Sequence, residues 1–124
     1  MTKEGDIYSF GILLLEMITG RRPTDPIFQE GLNLHVYVQI ASPDRLMEII
    51  EPALLPTYDE HTEDETMNHG YSQDEARKLK RLEEGMISLA RIGLACAMES
   101  PRERMNTSHI VHELHCINEI LQNV

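Results

Sequence analysis

Between Ile7 and Ile18 the apolar residues leave no side of a helix polar: Ile7, Tyr8, Phe10, Ile12, Leu13, Leu14, Leu15, Met17 and Ile18. Asp6 in front can accept from the free amides of a first helical turn. Gly20 is placed as a left-handed terminator, with Arg21, Arg22 and Pro23 after it. The pattern predicts a helix over Asp6–Met17. A helix apolar all round is expected to be buried all round, so this one requires neighbours on several sides. That is unusual near a chain start, where termini tend to fray. The stretch contains Glu16 and as a helix spans about 18 Å, short of a ~30 Å bilayer core, so no membrane span is expected.

The remaining segments also read as helices. Arg21 to Leu32 is a loop with Pro23, Pro26 and Gly31, and Asn33 can cap a short helix over Leu34–Ala41. Ser42-Pro43-Asp44 is a second start signal, predicting a helix to about Ile50, closed by Pro52 and Pro56. From Tyr58 to Asp74 the chain is acidic and polar, which predicts a mobile insertion loop over 58–74. Glu75 to Met98 is the longest helical pattern, with Leu79, Leu82, Met86, Leu89, Gly93 and Cys96 on one face. Gly85 and Gly93 inside it predict close packing against neighbours. Ser100-Pro101-Arg102-Glu103 fits a capping box. A last helix is expected over Ser108–Leu121, with Ile110, Leu114, Ile117 and Leu121 on one face. No segment alternates like a strand, so the fold class is all-α.

Charge excludes some functions. The 124 residues carry 11 Lys plus Arg against 21 Asp plus Glu, so 11 − 21 = −10, with the six histidines counted neutral. Nucleic acid is not an expected partner, because phosphate binding needs a basic face. Direct docking to an anionic membrane is not expected either. The N-terminus, with one lysine, two acids and no small-residue cleavage pattern, does not read as a signal peptide. Cys96 and Cys116 are too few for a disulfide scaffold, and both fall on apolar helix faces, so buried thiols in a reducing compartment are expected.

The wording of several segments is distinctive. Asp6-Ile7-Tyr8-Ser9-Phe10-Gly11 is followed by Leu15-Glu16-Met17-Ile18-Thr19-Gly20-Arg21-Arg22-Pro23-Thr24-Asp25. Asn33-Leu34-His35, Ile92-Gly93-Leu94-Ala95-Cys96 and Glu99-Ser100-Pro101-Arg102-Glu103-Arg104-Met105 come later, in that order. This order resembles the late C-lobe of the kinase domain in plant receptor-like serine/threonine kinases of the leucine-rich-repeat type. The first segment is similar to the D-x-Y-S-F-G helix at the centre of that lobe. The resemblance covers about residues 4–121, with the acidic loop its weakest part.

The resemblance implies structural roles. Asp6 is similar to the aspartate that hydrogen-bonds the catalytic-loop backbone and anchors the regulatory spine. Leu13 and Met17 match the two positions that support the catalytic spine beneath the adenine. Arg104 is similar to the arginine that pairs, buried, with the glutamate of the A-P-E motif. The family's activity, ATP-dependent phosphorylation of protein Ser/Thr with magnesium at the cytoplasmic side of the plasma membrane, is implied for a parent protein.

A kinase also needs a phosphate cradle, a phosphate-binding lysine, a base and a metal-binding aspartate. These 124 residues contain no G-x-G-x-x-G, V-A-I-K, H-R-D, D-F-G or A-P-E motif. The whole of 1–124 is therefore expected to be a partial kinase domain, a truncated product or partial gene model, with no catalytic or cofactor-binding residues and no activity of its own. Such a fragment would be cytoplasmic. It would expose an apolar patch around Ile7–Ile18 and be poorly soluble or oligomeric. Arg104, without its glutamate, is expected to swing out to water. The alternative is a non-catalytic helical binding module that competes for kinase partners through the Leu34–Ala41 region.

His109, His112, His115 and Cys116 invite comparison with a metal site. His112 and Cys116 stand i, i+4 and could share an ion, but the spacing gives no complete tetrahedral set, so no metal site is expected. Asn106-Thr107-Ser108 matches the glycosylation acceptor pattern and is expected to be a chance match at a helix start. Thr62, Thr66 and Ser72 are possible phosphate acceptors in the acidic loop, none singled out by its context.

Overall fold

Thr2, and not Asp6, opens the first helix. In a computed structural model that describes residues 2–55 and 73–122, α1 runs Lys3–Thr19. The Thr2 hydroxyl accepts from the Gly5 amide at 2.9 Å, so the cap lies four residues earlier than expected. Asp6 joins Glu4 in the first turn, where negative charge suits the helix dipole. The other end is as expected: Gly20 is left-handed at φ 70°, and its N–H donates to Glu16 O at 2.8 Å.

α2 spans Leu34–Ala41, and Asn33 caps it by accepting from the Val36 amide at 2.8 Å. The helix expected from Ser42 to Ile50 does not form. Ser42 instead ends α2, donating its N–H to Val38 O with extended backbone, and only the single 3₁₀ turn Leu46–Glu48 follows. A second 3₁₀ turn, Pro52–Leu54, is held to the end of α1 by the Glu51 amide on Ile18 O at 2.8 Å.

α3 is the longest element, Gln73–Cys96, and α4 runs Thr107–Gln122. Of the expected acidic loop, residues up to 72 lie outside the described set, while Gln73 and Asp74 belong to the first turn of α3. Ser100 makes no side-chain cap bond, so the expected capping box is absent and Pro101–Glu103 is one 3₁₀ turn. Asn106 is the true cap of α4, accepting from the His109 amide at 2.8 Å. That role accounts for asparagine in the glycosylation-like triplet without any sugar.

α1 packs chiefly on α3, and α3 in turn on α4. Leu15, Ile18, Leu34, Val38, Leu46, Ile92 and Cys96 form the most buried part of the core. The α1–α3 crossing is close because two glycines meet in it. A Cβ on Gly11 would stand 2.7 Å from Cys96 Cβ and 2.8 Å from the Gly93 carbonyl oxygen. A Cβ on Gly93 would stand 2.6 Å from the Leu15 side chain. Packing of Gly93 and Gly85 against neighbours is thus as the sequence suggests. On α4, Ile110 and Ile117 are buried, with Leu114 and Leu121 packed beside them, the face expected from their spacing. All described regular structure is helical, in agreement with the all-α expectation.

Candidate functional site

α1 is not buried all round. Ile7, Gly11, Leu14, Leu15 and Ile18 face the core, whereas Phe10, Leu13 and Met17 face outward, Leu13 at 54% and Met17 at 60% exposure. At 100° per residue, Asp6, Phe10, Leu13 and Met17 make one stripe along the helix. The expected burial fails there because no described element packs over the stripe. The expected apolar patch within Ile7–Ile18 is present, and it contains two of the residues singled out by resemblance. Phe10, at i, i+3 and i+7 to Leu13 and Met17, was readable from spacing and belongs with them.

Asp6 lies at the open end of this stripe. It is exposed, and its backbone N–H donates to Thr2 O at 3.0 Å. Asp6, Leu13 and Met17 therefore share one surface, while Arg104 belongs to a different arrangement.

Arg104 does not swing out to water. It is half-buried, with Nε donating to Met98 O at 2.7 Å, Nη1 to Glu4 O at 2.9 Å and Nη2 to Glu99 O at 3.1 Å. Its guanidinium carbon lies 4.8 Å from the centroid of the Tyr8 ring. Carbonyls just beyond α3 offer negative dipoles, and the planar fork reaches several at once. The expected escape fails because three backbone carbonyl oxygens hold the guanidinium against the protein. Arg104 thereby ties the start of α1 to the end of α3, across 100 residues of sequence.

A groove of about 730 Å³ lies beside this clamp, lined by Tyr8, Ile12, Leu34, His35, Met98 and Glu103 among others. His35 Nε2 lies 3.2 Å from Leu94 O and so holds α2 to α3. Across the preceding loop, Arg21 and Asp25 pair at 3.3 Å. Asp25 is held below the usual carboxylate range, first by the Ile27 amide on its Oδ1 and then by Arg21, against the opposing effect of desolvation.

The two thiols differ. Cys96 is buried, and desolvation pushes its thiol up. Cys116 is exposed, contrary to expectation, because it lies on the outer side of α4. Its Sγ stands 3.8 Å from His112 Nε2, and Glu113 brings a third donor atom, all three within 4.8 Å of one another. Glu113 was not read from the sequence as part of this group, although its place at i−3 to Cys116 is a signal that helical geometry supplies. Nitrogen and sulfur donors of this kind do not suit magnesium.

Among the described residues, no helix is long and apolar enough to cross a membrane. No family model matches the chain. Curated relatives do. The chain is 34% identical over 120 residues to the receptor kinase-like protein Xa21 of Oryza sativa subsp. japonica, a match covering 97% of this chain and 11% of Xa21. It is 36% identical over 115 residues to a probable LRR receptor-like serine/threonine-protein kinase of Arabidopsis thaliana, covering 93% of this chain and 10% of that protein. It is 33% identical over 111 residues to the Arabidopsis thaliana LRR receptor-like serine/threonine-protein kinase EFR, covering 90% and 8%. The helical architecture, the ordered segments and these alignments agree: over nearly all of its length the chain is homologous to one small segment of plant leucine-rich-repeat receptor-like serine/threonine kinases.

Proposed function

We infer that the chain is the late helical part of a receptor-like kinase C-lobe, from its central helix to its C-terminal helix, and that it does not transfer phosphate by itself. The observation that carries this reading is the outward stripe of Asp6, Phe10, Leu13 and Met17 on α1. Apolar side chains of this size on a helix whose other face is core are suited to further packing. Of the stripe, Asp6, Leu13 and Met17 match positions that, by resemblance, lie beside the catalytic loop and beneath the adenine. The parent protein would move the γ-phosphate of ATP, with magnesium, to protein Ser/Thr at the cytoplasmic side of the plasma membrane. In that parent Asp6 would hold the catalytic-loop backbone, and Leu13 and Met17 would support the spine under the nucleotide. Arg104 would exchange carbonyl partners for the A-P-E glutamate.

The transcript upstream of the Met1 codon tests this. An open frame there carrying H-R-D, D-F-G and A-P-E supports the reading. A stop codon at that place, together with a detected 14.2 kDa protein, favours the non-catalytic module described next.

A second reading is a non-catalytic module that engages proteins through α2. It is favoured by Ile40, 68% exposed at the rim of a small groove shared with Leu32, Tyr37 and Ile49. A partner that is released by Ile40→Asp, with α1 variants binding normally, would support this reading over the first.

A further inference from the structure

We propose that the outer face of α4 holds one zinc ion, bound by His112 Nε2, Cys116 Sγ and the Glu113 carboxylate, with water in the fourth position. The argument begins with helix geometry. His112 and Glu113 sit side by side on one turn, and Cys116 lies one turn later, at i+4 to the first and i+3 to the second. Cys116 is thus a helix-surface neighbour of both, and the donor atoms of the three side chains lie within 4.8 Å of one another.

The distances suit that ion. With bonds of about 2.0–2.1 Å to imidazole nitrogen and 2.3 Å to thiolate sulfur, a tetrahedral zinc puts nitrogen and sulfur about 3.6 Å apart. His112 Nε2 and Cys116 Sγ are 3.8 Å apart. The Glu113 carboxylate lies within 4.8 Å of both, so a small side-chain rotation closes the set. His112 and Cys116 are exposed and Glu113 is half-buried, so an ion can reach the site from solvent. His109 Nε2, 3.8 Å from Glu113 Oε1, stands one turn earlier and can steady the carboxylate from outside the coordination shell.

The donor set selects the ion class. A thiolate and an imidazole favour a borderline divalent metal over calcium or magnesium, and three protein ligands with an open fourth position are a pattern that zinc adopts. The proposal is independent of the kinase reading, since no residue of the α1 stripe takes part in it.

Zinc titration of the full 124-residue chain by calorimetry, with cobalt(II) as a spectroscopic substitute, tests the site. One zinc per chain is expected, together with a thiolate-to-cobalt charge-transfer absorption in the near ultraviolet. Loss of a supporting outer-shell group costs about 10- to 100-fold in metal affinity, so Cys116→Ser and His112→Ala should each weaken binding by at least roughly tenfold. Cys116→Ser should also abolish the charge-transfer band, Glu113→Gln should weaken binding measurably, and His115→Ala should leave both readouts unchanged. Zinc binding equal in wild type and Cys116→Ser, absence of the band, or one ion per two chains would each overturn the proposal.

Discussion

The guanidinium of Arg104 stacks over the ring of Tyr8, 4.8 Å from its centroid, while its nitrogens hold carbonyls on both sides of the α1–α3 junction. Hydrogen bonds to a charged donor contribute about 1.5–3 kcal/mol each at most, and those to half-exposed carbonyls less. Arg104→Ala is therefore expected to lower stability by about 2–3 kcal/mol, the first figure to read from urea denaturation. Arg104→Lys keeps the charge but loses the planar fork, and should recover only part of that loss. A loss of less than about 0.5 kcal/mol in Arg104→Ala, the range of ordinary surface changes, would mean the clamp adds nothing.

The α1–α3 crossing predicts an ordering among glycine replacements. A Cβ at Gly11 meets backbone, the Gly93 carbonyl and the Ala97 nitrogen at 2.8 and 2.9 Å, which cannot yield locally. Gly11→Ala should destabilise by about 2–3 kcal/mol as the helices are forced apart. A Cβ at Gly85 meets the end of the Leu121 side chain at 2.6 Å, which can rotate away. The gain in helix propensity, about 1 kcal/mol, offsets that adjustment, so Gly85→Ala should be within about 1 kcal/mol of wild type. Thermal melts of the two variants side by side check the order.

The outward stripe of α1 predicts behaviour in solution. The chain should bind an apolar dye and associate as its concentration rises. Leu13→Glu with Met17→Glu should abolish both while changing stability little, since these side chains are 54% and 60% exposed. Dye fluorescence and light scattering of the two proteins make the comparison. A wild-type chain that is monomeric and dye-free would contradict it.

Two groups give stability a pH dependence at opposite ends of the scale. Asp25 has its folded pKa lowered by the Ile27 amide and by Arg21, so its contribution is present above the unfolded carboxyl pKa, about 3.9, and is lost as pH falls through the folded value. Asp25→Asn should lower the Tm at neutral pH, and the gap to wild type should narrow on acidification. Cys96 has its folded pKa raised by burial, so its contribution is present below the unfolded thiol pKa, about 8.5, and is lost as pH rises from there through the folded value. The wild-type Tm should therefore begin to fall above that pH, and less so in Cys96→Ala.

Features fixed by a few neighbouring residues were readable from sequence. Gly20 ends α1, Asn33 opens α2, and the apolar face of α4 is the expected one. What failed was decided by competition or by distance. Ser42 and Pro43 carry a helix-start signal, but Ser42 is already used to end α2. Thr2 and Asp6 are both good caps, and the earlier one prevails because the residues between them are compatible with helix. Ser100 and Glu103 have capping-box spacing, yet the chain there makes one 3₁₀ turn before Arg104 reaches back to Glu4. That reach, the Tyr8 stacking and the exposure of Cys116 depend on how α1, α3 and α4 are laid together, which local pattern does not encode. For the site, the residues came from resemblance, and the structure added that three of them share an open stripe.

Phosphate transfer by the purified chain tests the central claim most directly. With labelled ATP, magnesium and a serine- and threonine-containing protein substrate, the 124 residues should give no incorporation above that of the substrate alone. Sustained incorporation by the purified chain would show that it holds a nucleotide site of its own, and would contradict the account.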